Sequence, residues 1–532
     1  MRFISKILVS ASLAATFAYA QTLPKFQHII VVVQENRTPD NLFGSNPTFE
    51  TGVDLQTPSA GPWCLGACFD PGHRHSDWES QYQQPKQACP GTMGKGLCTA
   101  QATCNGQTGQ QMPVPSCPQQ TYVSGTYDNS VVAPYFDIAE KYGFANYMFQ
   151  TNEGPSMPAH QFLFSGTSAP NGVVNQQYFN YFLAENPGNV SNTGCTVTNQ
   201  QVELIDSSGS EDASVSPCFD HNSLPTLLDQ NHISWTYYGN QRSGGISGPT
   251  GIWTAPNAIK EMCYPLSGGQ CNGTDWVNNV RFGTSQILRD LGAGTPEECG
   301  LRNVSWVIPN YDRSDHPGFV GSQNNSTEIE GGPSWVADII NAVGQSPCKN
   351  GDGSNYWNTT AIFITWDDWG GFWDHINPSA SAGGPGVLIN TSTNPCSGFG
   401  CGYIYGFRVP LLVVSAYTRA GYVSGSPTEG GETFPYLHDF GSILAFIENN
   451  FLGASAIGTI NAQNQYLFAD HFAPDYEANP LHVPLADFFP IPQNQPRQFQ
   501  AITLRPGAPD MNYFINYSGP VEDPDNDAID ND

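Results

Sequence analysis

Three short runs of almost wholly apolar residues constrain the fold of this chain more than anything else in it. His28-Ile29-Ile30-Val31-Val32-Val33, Ala361-Ile362-Phe363-Ile364-Thr365-Trp366 and Pro410-Leu411-Leu412-Val413-Val414 are rich in β-branched residues and short for buried helices. A strand with one wet face alternates apolar and polar residues, whereas a continuous apolar run needs cover on both faces. Val304-Ser305-Trp306-Val307-Ile308 and Ile233-Ser234-Trp235-Thr236-Tyr237 are weaker strand candidates. Between the runs, residues 134–141, 334–343 and 441–451 carry apolar side chains at three- and four-residue spacing, the mark of helices with one buried face. Strands alternating with helices predict an α/β fold: a mainly parallel sheet with helices on both faces.

Residues 1–20 predict an export signal. Arg2 and Lys6 precede an apolar stretch, and Ala18-Tyr19-Ala20 stands before Gln21 as a cleavage site. That stretch is too short to span a bilayer, and no later one approaches the roughly 20 apolar residues a spanning helix needs. A secreted or periplasmic protein without a transmembrane anchor is expected. All 14 Cys lie after residue 20, an even number that an oxidising compartment would pair. Cys64, Cys68, Cys89, Cys98, Cys104 and Cys117 crowd a segment rich in Gln, Gly and Pro. This predicts a disulfide-rich loop insertion over residues 45–130, inside one domain spanning 21–495. A second loop-rich stretch is expected at 188–220. Residues 496–532 read as a C-terminal segment with an acidic tail, Glu522-Asp523-Pro524-Asp525-Asn526-Asp527.

With 19 Lys+Arg against 47 Asp+Glu, the net charge is −28. That argues against nucleic acid as a partner, because no basic stripe exists to release its counterions. It argues equally against adhesion to an anionic membrane by charge alone.

In an open parallel sheet, ligands sit beyond the carboxyl ends of the strands. Gln34-Glu35-Asn36-Arg37 follows the first apolar run, and Asp367-Asp368-Trp369-Gly370-Gly371 follows the second. Glu35, Asp367, Asp368 and the amide oxygen of Asn36 are therefore expected at one sheet edge. Unpaired, the carboxylates would repel one another, and a shared cation is one explanation. An all-oxygen set suits one hard divalent ion, Mg²⁺, Ca²⁺ or Mn²⁺. Ordinary capping and turn chemistry is the other explanation, and residue type alone does not separate the two. Ser156, in Glu153-Gly154-Pro155-Ser156-Met157-Pro158, stands at a helix start. There it is either a nucleophile at the positive end of the helix dipole or a plain N-cap. His73, in Asp70-Pro71-Gly72-His73, and His316, in Ser314-Asp315-His316-Pro317, sit in polar turns as candidate donors to a phosphoryl oxygen.

Taken in order, these blocks resemble the phosphoesterase family of bacterial phospholipases C and acid phosphatases, with its alkaline-phosphatase-like core. Residues 28–37 are similar to the family's strand followed by Q-E-N-R-S-F-D. Gly154-Pro155-Ser156-x-Pro158 resembles G-P-S/T-x-P, and Asp367-Asp368-x-Gly370-Gly371-Phe372-x-Asp374-His375 resembles D-E-x-G-G-x-x-D-H. Gly406-Phe407-Arg408-Val409-Pro410 matches G-F-R-V-P, and residues 442–448 resemble the helix that follows. The resemblance extends over residues 27–451. It implies that Glu35, Asn36, Asp367 and Asp368 hold the metal, that Ser156 is the nucleophile, and that His73 and His316 contact the phosphoryl group. Arg37 and Arg408 are read as structural, and Asp374 and His375 as turn residues behind the site. The sequence departs from the family in having Asp368 for Glu, His160 for an Arg after the nucleophile block, and His438-Asp439-Phe440-Gly441 where the family has D-H-T.

The activity implied is hydrolysis of a small phosphate ester through a phosphoserine, as an acid-phosphatase-like monoesterase, with a phospholipase C-type diesterase as the alternative. A secreted binding protein on the same scaffold is the rival of another class. It would lack the nucleophile or a ligand, and here every such position is occupied. Asn36-Arg37-Thr38 is also a glycosylation sequon, so a ligand at Asn36 has to be buried.

Overall fold

The computed structural model describes residues 23–44, 52–56, 72–82, 103–104, 107–108, 132–170, 176–188, 193–239, 251–264, 270–310, 313–316, 331–378, 403–426, 436–457 and 483–517, apart from 179, 198, 222, 284, 295–297, 373 and 505–506. Residues 1–20, most of the Cys-rich insertion and the acidic tail lie outside the described residues.

The apolar runs become the middle of one sheet. Its strands are β1 (His28–Gln34), β2 (Gly143–Ala145), β3 (Trp235–Gly239), β4 (Val280–Phe282), β5 (Val304–Val307), β6 (Thr360–Trp366), β7 (Leu411–Ser415) and β8 (Tyr422–Ser424), in spatial order β4-β3-β5-β1-β6-β7-β2-β8. β7 runs antiparallel to β6 and β2, and every other pairing is parallel. The mainly parallel sheet read from the sequence is therefore found, with one reversed strand. Ile29 to Val33 are each fully buried, as a strand covered on both faces must be.

Side chains along β6 identify the covering layers. Phe363 packs edge-on against Phe446 of α5 (Phe440–Leu452), and Trp366 against Tyr135 of α2 (Ala133–Lys141). Residues three apart on a strand point to opposite faces, so α5 and α2 lie on opposite sides of the sheet. Helix α3 (Ser156–Ser165) packs on α5, and α4 (Gly332–Gln345) on α2; the short α1 (Pro39–Phe43) follows β1. Ile502, Phe514 and Ile515 of the C-terminal segment are buried in the same core.

The loop-rich stretch at 188–220 also carries two short strands: Val202–Asp206 and Ala213–Val215 join Tyr181–Ala184, just before it, in a three-stranded antiparallel sheet. Val202 and Leu204 face inward around exposed Glu203, an alternation too brief to stand out among the surrounding Gln, Ser and Gly. Disulfides Cys195–Cys218, Cys263–Cys271 and Cys299–Cys348 join described segments.

Because β1 is the central covered strand, Ile30→Ala should lower the unfolding free energy by about 2–5 kcal/mol. Chemical denaturation measures this, and a loss well under about 1 kcal/mol would contradict a fully covered strand.

Candidate metal centre and active site

The carboxyl ends of β1, β5 and β6 share one edge because the three strands are parallel neighbours. Gln34 lies opposite Trp366 in the register, and the Asp367 amide continues the ladder by donating to Gln34 O at 2.8 Å. Glu35 and Asp367 thus leave adjacent strands side by side. The chain then turns sharply on both. Asn36 adopts a left-handed backbone (φ 58°), which Asn tolerates better than most residues. Gly370 is left-handed too (φ 59°), and a Cβ there would come within 2.6 Å of the Asn36 Cβ. The two turns are bonded directly: Asn36 N donates to Asp367 Oδ1 at 3.0 Å and Arg37 N to Asp368 O at 3.0 Å.

Glu35, Asn36, Asp367 and Asp368 are all fully buried. Asp367 Oδ1 also accepts from Asp368 N at 2.7 Å, and Asp368 Oδ1 accepts from Gly370 N at 2.6 Å. These donors are neutral amides. Asp367 Oδ2 and Asn36 Oδ1, both buried acceptors, have no hydrogen-bond partner among the described residues. Burial, and then the neighbouring Asp367 carboxylate, push the Asp368 carboxyl well above the usual range, with His73 opposing. Buried acceptors without donors beside crowded carboxylates fit a divalent cation. One oxygen each of Glu35 and Asp367 and a nitrogen of His160 lie within 4.8 Å of one another.

Ser156 does not cap its helix. Pro155 is the N-cap of α3, and Asn186 Oδ1 satisfies Met157 N at 2.9 Å. The Ser156 hydroxyl, fully buried, instead donates to Asp368 Oδ2 at 3.1 Å. Its approach loop is tied inward: Gln150 Nε2 and Asn152 Nδ2 both donate to Gly154 O, at 3.1 and 2.8 Å. One turn along α3, His160 Nε2 lies 3.1 Å from Glu35 Oε1 and 3.8 Å from Asp367 Oδ2. Burial pushes the His160 imidazole down to about 4, with the Asp367 carboxylate opposing.

The two turn histidines reach the same place. His73 Nε2 is 3.5 Å from Asn36 Nδ2, and its ring is 6.4 Å from that of His316 between centroids. Gln34 holds the His316 loop by both ends of its amide, donating to Arg313 O at 3.1 Å and accepting from Asp315 N at 2.9 Å. Trp253, with ring centroids 6.3 Å from His160 and 5.8 Å from His316, stands against both.

Arg408, fully buried, lies in a second acidic group. It donates to Asp374 Oδ2 at 3.0 Å and Asp40 Oδ1 at 3.3 Å, and His375 Nδ1 is 2.6 Å from Asp40 Oδ2. Here the protein supplies its own cation between the carboxylates, consistent with the structural reading of Arg408.

His75 was not singled out from the sequence, nor was its latch. Its Nε2 is 3.2 Å from Glu153 Oε2, its Nδ1 is 2.6 Å from Glu211 Oε1, and its amide donates to Glu185 Oε2 at 2.9 Å. This joins the His73 turn to the loop before Ser156. A histidine two residues after His73 was the available signal, but its partners lie 78 and 136 residues away in the chain. Burial alone would lower the His75 pKa; its hydrogen bonds to Glu153 and Glu211 and the nearby carboxylate charges outweigh this and raise it to about 10. Burial also raises Glu153 and Glu185.

The sequence profile of the Phosphoesterase family matches residues 26–452. The chain is 29% identical over 202 residues to "Phospholipase C B" of Mycobacterium tuberculosis, covering 37% of this chain and 34% of that protein. It is 21% identical over 456 residues to "Hemolytic phospholipase C" of Pseudomonas aeruginosa, covering 81% of this chain and 53% of that one. The chain thus spans about a third to a half of the length of these curated relatives. A solved protein of the alkaline phosphatase superfamily from Vibrio parahaemolyticus aligns over 81% of this chain and 67% of its own, at 7% identity and a TM-score of 0.31.

The His75 latch carries a pH signature. Its folded pKa is raised above the unfolded value of about 6.5, so its stabilisation is complete below that pH and is lost as pH rises towards about 10. The raised Glu153 and Glu185 act with the same sign. Melting temperature should fall from pH 6.5 to 10 in the wild type and fall less steeply in His75→Gln. An equal slope in the variant would mean that His75 is not charged when folded.

Proposed function

The chain belongs to the Phosphoesterase family, and from that premise we propose that it is a metal-dependent hydrolase of phosphoric esters with Ser156 as nucleophile. The observation that carries this reading is the 3.1 Å hydrogen bond from Ser156 Oγ to Asp368 Oδ2, which ties a buried helix-start hydroxyl to an acid cluster in which Asp367 Oδ2 and Asn36 Oδ1 have no partner among the described residues. Glu35, Asn36, Asp367 and Asp368 are the proposed ligands of one divalent ion, and oxygen donors favour Mg²⁺, Ca²⁺ or Mn²⁺. When bound, such an ion lowers the pKa of a neighbouring hydroxyl and offsets charge on phosphoryl oxygens.

In the proposed reaction the Ser156 oxygen, its proton released to solvent past Asp368, bonds phosphorus, while the ester bond to the leaving alcohol breaks opposite it. His73 and His316 donate to the non-bridging oxygens, and one of them protonates the departing alkoxide. Water then attacks the phosphoserine, breaking its oxygen–phosphorus bond and restoring the hydroxyl. His160, in this account, is a neighbour of Glu35 and Asp367.

Phosphate monoesters are the first substrate reading, since a net charge of −28 works against docking on an anionic lipid surface. The names of the phospholipase C relatives favour the second, a diesterase acting on phospholipid head groups. We take residues 21–495 as the catalytic domain, with the insertion at 45–130 and a C-terminal segment from 496. Three disulfides among the described residues support a secreted or periplasmic location.

Hydrolysis of p-nitrophenyl phosphate and p-nitrophenylphosphorylcholine by the purified protein tests both readings. Activity should fall on the order of 10⁴-fold in Ser156→Ala, vanish with chelator and return with a divalent ion. Faster turnover of the first substrate marks a monoesterase, and of the second a diesterase. Activity that survives either treatment overturns the mechanism, and none on either substrate favours the non-catalytic binding protein.

A further inference from the structure

We infer that His160 is a nitrogen ligand of the ion at this centre, so that the site selects a later first-row dication such as Zn²⁺ over Mg²⁺ or Ca²⁺. The inference rests on the metal site proposed above and changes its donor set. Ser156 and His160 are four residues apart on α3 and so occupy one stripe of the helix. That stripe faces the acid cluster: Ser156 meets Asp368, and His160 meets Glu35 and Asp367.

Two donors each about 2.1 Å from one ion can be at most about 4.2 Å apart. His160 Nε2 lies 3.1 Å from Glu35 Oε1 and 3.8 Å from Asp367 Oδ2, inside that limit for both. Asp367 Oδ2 is itself a buried oxygen with no donor among the described residues. The imidazole is 1% exposed and backed by the Trp253 ring, tilted 30° at 6.3 Å between centroids, which leaves little room to swing away. Imidazole suits Zn²⁺, Fe²⁺ and Ni²⁺, whereas Mg²⁺, Ca²⁺ and Mn²⁺ are better served by oxygen.

The competing role for His160 is a hydrogen bond that merely orients Glu35. Pulsed electron paramagnetic resonance on Mn²⁺ added to the metal-free full chain separates the two, because a coordinated imidazole imprints a ¹⁴N coupling on the manganese signal. The coupling is expected in wild type and in His73→Gln, and is expected to vanish in His160→Gln, with Mn²⁺ affinity at least about tenfold weaker. A second readout is ion preference: wild type should bind Zn²⁺ at least about tenfold more tightly than Mg²⁺ and Ca²⁺ in competition titrations, and His160→Gln should lose most of that preference. Stoichiometric Mn²⁺ without nitrogen coupling, a coupling that persists in His160→Gln, or equal affinity for Mg²⁺ would each overturn the role of His160 and leave the oxygen-ligand site standing. Failure of wild type to bind any divalent ion would overturn both.

Discussion

Three carboxylates buried against one another, at the point where two parallel strands end, form the constraint on which the rest of this structure depends. Like charges at about 4 Å interact by about 4 kcal/mol even at an effective dielectric of 20, and burial adds a desolvation cost to each. The protein answers only part of this. Backbone amides of Asn36, Asp368 and Gly370 donate to Asp367 and Asp368, and Asp368 is pushed towards its protonated form. The Arg408 group is the internal comparison. Asp40 and Asp374 are equally buried, yet a guanidinium is built between them. A chain that sets a guanidinium between one pair of buried carboxylates, and faces the other cluster with amides, a hydroxyl and the imidazole of His160, fits a centre that takes positive charge from outside.

That centre imposes demands on the scaffold. Neighbouring parallel strands must end in register, which the Gln34–Trp366 pairing supplies. Two left-handed turns must pass within a Cβ's width, which asks for Asn at 36 and Gly at 370. The side chain of Gln34, otherwise the last residue of a buried strand, reaches across to fix the 313–316 loop. Each device is local, but together they bring residues more than 300 positions apart into one cluster.

Legibility in the sequence followed the length and burial of each element. Residues 29–33, 361–366 and 411–414 were readable because strands covered on both faces stay mostly apolar for four or more residues; the direction of β7 was not, since burial is the same for either orientation. Strands of three residues such as β2, β4 and β8 carry no period to detect. The four acidic and amide positions could be placed because they follow strand ends in an open sheet. The residues around Ser156 left it open between a cap and a nucleophile, because both uses favour the same residue at the same place, and only the family resemblance implied the second. His160 was visible only as an odd residue in a motif, and its proximity to Glu35, 125 residues earlier, is a product of tertiary packing. The His75 latch was illegible for the same reason.

The helix start at Ser156 shows how such a balance is tipped. A serine at the beginning of a helix ordinarily gives its oxygen to an exposed amide of the first turn. Here Asn186 supplies that acceptor to Met157 N from outside the helix, and Pro155 occupies the cap. The preceding loop is held on several sides, by Gln150 and Asn152 at Gly154, by His75 at Glu153 and by Asp439, which accepts from Thr151 Oγ1 at 2.8 Å. With the helix start satisfied and the loop immobilised by other groups, the Ser156 hydroxyl has no structural duty left, and its proton points at a carboxylate. A residue relieved of its ordinary role by dedicated neighbours is a stronger sign of chemistry than the serine itself.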